Sequence, residues 1–254
     1  MAIRREEAYV LKRVPLRETS LLATLLTRDG GKIKVLVKGV RGEKKPVVGR
    51  FEPFTHLEVV YYEKLRSDIH LVSDTAVLNS NSFLRSRLDI FSYASYAVEL
   101  VDSLFEISDP HPEVFDLLGI AFRLFRSAPP ARVARILEVK LLEKAGLIPI
   151  LGHCSLCGKA TQERTFFSSK QGGLICSDCD QGESGTVPIS QGAVKSLLFY
   201  LGRVMNEAVE LCLDKQIEHE LERILTRFLH FRLEFPLRSS RFLSEVKPVL
   251  RILA

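Results

Sequence analysis

Four of the five cysteines fall into two Cys-x2-Cys pairs, Cys154 with Cys157 and Cys176 with Cys179, with 18 residues between the pairs. Any fold of this chain must bring those two segments together. Two residues between paired cysteines make a tight turn that aims both sulfurs at one point, and two such turns close a tetrahedral shell around Zn²⁺. Four thiolates leave no position open for water or substrate, so the ion is structural and the motif argues against a zinc hydrolase. The other readings are two disulfides, or a ribbon that has lost its metal. His153, next to Cys154, is a spare ligand at most. Cys212 lies in a helical pattern and reads as a buried small hydrophobe. Cysteines without a leader-like N-terminus point to the cytoplasm, where thiols stay reduced. No apolar run approaches the roughly 18–20 residues needed to cross a membrane.

Charge is placed unevenly. Residues 1–80 hold 15 Lys and Arg against 10 Asp and Glu, so the whole net charge of +5 belongs to the first third. Residues 28–50 alone hold 8 basic and 2 acidic groups. Such concentration suits a polyanion, most simply a nucleic acid; a solvated basic face is the plainer alternative.

The first 80 residues read as strands. Ala8–Val14 is rich in β-formers, and Ser20–Thr27 is a dense apolar run. Asp29-Gly30-Gly31 is a hairpin turn. Lys32–Lys38 alternates, with Ile33, Val35 and Val37 on one face and Lys32, Lys34 and Lys38 on the other. Val40–Arg50 is a glycine- and cation-rich loop. Thr55–Glu63 and Ile69–Leu78 add two strands. Five short strands suit a small closed barrel, with the OB-fold as the leading candidate and its strand 2–3 region as the nucleic-acid face.

After residue 80 the period becomes helical. Phe83–Phe105, Glu113–Phe125, Ala131–Ala145, a helix capped by Ser190, Lys215–Leu233 and a short Ser239–Leu250 interrupted by Pro248 are the expected helices. The fold class is therefore α+β and multidomain. A barrel at 1–80 precedes a helical domain at 81–254 that carries a four-cysteine zinc ribbon at 151–182.

No catalytic apparatus is visible: there is no Walker A sequence, no G-x-S-x-G and no H-E-x-x-H. The chain reads as a binding protein, not an enzyme. Lys32, Lys34, Lys38, Arg41, Lys44, Lys45 and Arg50 supply a cationic groove, with Phe51, Phe54, His56, Tyr61 and Tyr62 as nearby stacking candidates. Alternation puts Tyr61 and Tyr62 on opposite faces. A zinc-ribbon RNA-binding or translation-associated factor is the competing reading.

Several segments in order resemble the RecO family of recombination mediators. They are Arg17-Glu18-Thr19-Ser20-Leu21-Leu22, Val37-Lys38-Gly39-Val40-Arg41, Phe51-Glu52-Pro53-Phe54, Cys154-x2-Cys157-Gly158, Gly172-Gly173-Leu174-Ile175-Cys176 and Phe242-Leu243. Pro15-Leu16 departs from the pattern expected before Arg17. The resemblance implies a cytoplasmic, nucleoid-associated bacterial protein that binds single- and double-stranded DNA. It also implies annealing of complementary strands, including strands coated with single-strand-binding protein (SSB), and loading of RecA together with RecR. Structural zinc is the only cofactor implied. The acidic SSB C-terminal tail is implied to dock on the helical part, for which Arg132 and Arg135 on the helix Ala131–Ala145 are the candidates.

Overall fold

The computed structural model describes residues 2–16, 18–39, 48–64, 67–160, 165–180, 182, 185–233 and 235–253. Strands β1 (Ala2–Leu16), β2 (Ser20–Thr27), β3 (Gly31–Val37), β4 (His56–Glu63) and β5 (Ile69–Asn79) close into a barrel in the order β1-β2-β3-β5-β4. β3 and β5 run parallel, while the other pairs are antiparallel. This is the five-stranded OB topology. Period-two alternation fills the interior with Val10, Leu21, Ala23, Leu25, Ile33, Val35, Leu57 and Val59, and Phe51 packs against them. A bulge between Val10 and Lys12 inserts Leu11 into β1. It lets Leu11 join Tyr9, Leu26 and Phe54 in the helical core. Ser20–Thr27 is therefore apolar on both faces: the barrel interior takes Leu21, Ala23 and Leu25, and the helices take Leu26 from the other.

The helices are α1 (Leu88–Leu104), α2 (Pro112–Leu124), α3 (Pro130–Lys144), α4 (Gln191–Gly202), the single turn α5 (Met205–Ala208), α6 (Lys215–Leu233) and α7 (Arg238–Leu253). Local chemistry explains several starts. Proline, which needs no N–H partner, occupies the first turn of α2 and α3. Ser190 accepts from Ala193 N at the head of α4, and Asp214 accepts from Ile217 N at the head of α6. Glu99 of α1 accepts from the backbone N–H groups of Arg238 and Ser239, which pins α7 to α1. The α7 backbone continues through Pro248 to Leu253, where the sequence predicts an interruption. Strands β6 (Thr165–Ser168), β7 (Gly173–Cys176) and β8 (Thr186–Ile189) form a small sheet in the order β7-β6-β8. Its third strand lies past the expected end of the ribbon at 182.

Barrel and helices meet at a charged joint. Asp102 of α1 faces Lys32 Nζ at 3.2 Å and Lys12 Nζ at 2.5 Å, and Lys32 also donates to the Asp102 carbonyl. Ser108 N donates to Lys32 O at 2.8 Å. Gly31 beside it has φ +71°, and a Cβ there would lie 2.2 Å from Asp109 O, so only glycine fits. This corrects the reading of Lys32 as a groove cation. Its side chain is only 9% exposed because α1 covers that end of the β2–β3 face.

Burial raises the pKa of Asp102, but Lys12 and Lys32 outweigh it and hold the carboxyl below its ordinary value. Its contribution to stability is thus present above the ordinary carboxylate range and is lost as pH falls through the lowered native pKa. Asp102→Asn should cost about 1–3 kcal/mol near neutral pH, because it leaves Lys32 buried without a counter-charge. Denaturant titrations of both proteins should show this gap holding at about pH 5–8 and closing in acid.

Candidate metal centre and nucleic-acid interface

Backbone turns aim the four sulfurs. Gly158 N donates to Cys154 O, and Gly158 takes φ +73°, closing the first knuckle. Cys179 N and Asp180 N both donate to Cys176 O, closing the second. Ser155 N donates to Leu174 O at 2.7 Å and so ties the first knuckle to β7, whose end carries Cys176. The four Sγ atoms lie within 4.8 Å of one another, with Cys157 and Cys176 at 3.7 Å. A tetrahedron of metal–sulfur bonds of about 2.3 Å has edges of about 3.8 Å. All four thiols are free, which removes the disulfide reading.

The clustered sulfurs perturb one another's ionisation. Burial opposes ionisation of Cys154, but backbone N–H groups of Cys157, Cys176 and Leu156 point at its sulfur and hold its pKa at about 6. Cys179, hydrogen-bonded to the Cys157 and Cys176 thiols, is pushed up to about 12. Four thiolates this close repel one another unless a cation lies between them, and four sulfurs could hold a metal ion here. His153 is not part of the cluster. Cys212 is exposed in the segment between α5 and α6, not buried in a helix as expected.

The barrel's outer face is sparser in cations than alternation suggests. Lys34 is half-buried and Lys38 exposed on the β3 side. Arg50 donates to Thr75 O at 2.6 Å. Arg41, Lys44 and Lys45 lie outside the described residues. The stacking candidates change more. Phe51, Phe54 and Tyr61 are buried, with Tyr61 donating to Glu6 at 2.7 Å. His56 stacks on Tyr9 at 4.6 Å and is hydrogen-bonded to Glu7; burial outweighs that carboxylate and lowers its pKa. Tyr62 alone of these keeps a partly open position outside the helical core, on the opposite face from Tyr61. Register instead aligns Val14, Leu22, Leu36 and Leu71 across the outside of β1, β2, β3 and β5. Such a face can hold phosphates through its lysines but offers few π-platforms.

Helix α3 overturns the expected cationic rim. Every residue from Val133 to Leu142 is buried, because α1, α2, α4 and α6 surround it. Arg135 Nη2 lies 2.7 Å from Glu138 Oε1, which also accepts from Tyr96 OH, and the guanidinium sits beside the Tyr96 ring. Burial disfavours the charge on Arg135, but Glu138 and the tyrosines outweigh it and raise its pKa. Arg132 donates to Val209 O at 3.2 Å and pairs with Glu218. Lys140 donates to Leu201 O at 2.7 Å. The spacing along α3 does form a stripe, but the stripe faces protein.

Sequence comparisons give the two halves one origin. Residues 1–81 match the family model "Recombination protein O N terminal", and residues 85–241 match "Recombination protein O C terminal". The chain is 33% identical over 243 residues to the DNA repair protein RecO of Anaeromyxobacter dehalogenans, covering 95% of this chain and 96% of that protein. It is 28% identical over 242 residues to the protein of the same name from Caldicellulosiruptor saccharolyticus, covering 95% and 98%. The Syntrophus aciditrophicus protein is 29% identical over 253 residues, covering 97% of each.

Two outcomes follow from the geometry. Cys176→Ser should lose bound metal by atomic emission and open the segment around β6–β8 to limited proteolysis, since metal and local fold are coupled. Arg135→Ala should cost about 3–5 kcal/mol in denaturant unfolding, because it leaves the buried Glu138 without its cation.

Proposed function

The chain belongs to the RecO family of DNA repair and recombination proteins, and on that ground we propose that it is a non-enzymatic recombination mediator. It binds single-stranded DNA, also accepts duplex, and anneals complementary strands, including strands coated with SSB. With RecR it promotes RecA loading, and it works in the bacterial cytoplasm at the nucleoid. The observation that carries this reading is full-length family membership joined to an OB barrel that holds the chain's net positive charge.

The physics of such a task is simple. Two phosphate backbones repel, and cations that touch both let complementary bases meet. Cation–phosphate contacts carry no base information, so strand pairing supplies the specificity. Residues 1–80 would supply the contacts through Lys34, Lys38, Arg41, Lys44, Lys45 and Arg50. Residues 81–254 would provide the scaffold and the partner surfaces, among them the site for the SSB tail. Arg135 is buried against Glu138, so the proposal does not use it as a direct contact for that tail. The metal at Cys154, Cys157, Cys176 and Cys179 is assigned as one structural Zn²⁺ per chain.

Complementary oligonucleotides should anneal faster with the protein than without it, whether bare or coated with SSB; an unchanged rate would overturn the reading. Replacing Lys34 and Lys38 together by Gln should weaken binding to all sequences alike and flatten the plot of log K against log salt by about 0.7 per lost phosphate contact. Protein purified without chelators should carry close to one equivalent of zinc.

A further inference from the structure

Three arginines near the entry to the helices share an unusual state: each is held in place, yet none is neutralised. Arg50 donates to Thr75 O at 2.6 Å. Arg85 donates to Pro53 O at 2.6 Å and to Ser80 O at 2.8 Å. The Arg126 guanidinium lies 4.3 Å from the centre of the Phe83 ring. A guanidinium has five N–H donors, and neutral carbonyls engage one or two of them while leaving the full charge. Arg123, one turn before Arg126, is exposed. Among the described residues no carboxylate pairs with any of the four. The nearby acids are engaged elsewhere: Glu52 with Arg13, Asp89 with Arg87, Asp116 with Arg28, and Asp74 with the N–H of Thr75.

These groups are linked by direct contacts. Arg50 and Pro53 belong to the one turn that leads from the basic 41–47 segment into β4. Arg85 bonds that turn to the 3-10 turn Ser82–Arg85. Phe83 sits in the latter turn and carries Arg126 from just beyond α2. The charge therefore continues off the barrel and across to the end of α2.

We propose that this strip is a second stretch of the single-stranded nucleic-acid path. Arg85 and Arg123 meet phosphates, and Arg126, backed by Phe83, presents its free planar face to one unpaired base. Bases stack on guanidinium planes as they do on aromatic rings. The strip thus adds a platform to an outer barrel face whose row from Val14 to Leu71 is aliphatic and ends on Tyr62. The inference rests on the DNA-binding reading given above.

The test uses the full-length protein and fluorescent oligothymidylates of about 12 nucleotides, within the reach of one barrel, and about 30 nucleotides. Arg126→Gln should weaken binding of the longer strand by about fivefold or more, the loss expected for one stacked base. Arg126→Lys keeps the charge but has no flat face, and should also weaken it. An unchanged melting temperature shows that each variant is folded. Arg123→Gln, at an exposed position, repeats the test without touching the packing on Phe83. Wild-type affinity of Arg126→Gln and Arg123→Gln for the longer strand, with the Lys34/Lys38 double variant weakened, would overturn this inference alone. A wild-type protein that binds neither strand would overturn the DNA-binding reading with it. Loss of binding to polyglutamate with DNA binding intact would assign the strip to an acidic protein and overturn the inference too.

Discussion

The contact of Asp102 with Lys12 and Lys32 decides how the rest of the molecule can be used. A free OB barrel could present its whole circumference to a ligand. Here one side is committed: Tyr9, Leu26 and Phe54 enter the helical core, and Lys32 is drawn under α1. Gly31 permits the approach, since any side chain would collide with the Asp109 carbonyl. The barrel is thereby locked to the helices, and Arg28 adds a further tie through Asp116 of α2. Closure adds a second constraint. Each strand of the barrel has a neighbour on both sides, although β3 and β5 pair only through Lys34–Leu36 and Ile69–Leu71, so closure limits the strand edge that a partner could extend.

The metal site solves a different problem. The small sheet β6–β8 has four residues per strand and little core of its own. Short strands of this kind are marginal without a staple. The thiol cluster would supply one on binding a cation, and Phe167 on Phe228 at 5.6 Å anchors the sheet on α6. The ribbon is thus held from both ends, by thiols at its tip and by an aromatic contact at its base.

Much of this is legible in the sequence, and the misses share one cause. Alternation in β2 to β5 marks the barrel and its interior residues. The Cys-x2-Cys spacing marks the knuckles, and the periodicity of Lys215–Leu233 has the same bounds as α6. Periodicity tells which residues share a face but not what covers that face. Lys32 and Lys34 are alike in sequence, yet only Lys32 lies under α1. Arg132 and Arg135 look like a solvated stripe until α3 proves to be the central helix, with Arg135 buried and Arg132 turned onto Val209 and Glu218. Phe51 and Phe54 sit in a loop by pattern, but they plug the barrel and the helical core. The strip at Arg85 and Arg126 is invisible in the sequence for the same reason, since it is assembled from segments distant along the chain. Strand β8 escapes notice because Thr186–Ile189 is short and contains Pro188, which weakens any strand signal.

Hydrogen exchange of the full-length protein, with and without a long oligothymidylate, tests the placement of DNA most directly. Slowed exchange is expected in the amides of β3, in the turn Val48–Phe51 and through Ser82–Arg85 to the end of α2. The metal knuckles and α6 should exchange as in the free protein. Protection confined to the knuckles, α6 or α7, with the barrel unchanged, would contradict the assignment of the barrel and its neighbouring arginines as the nucleic-acid surface.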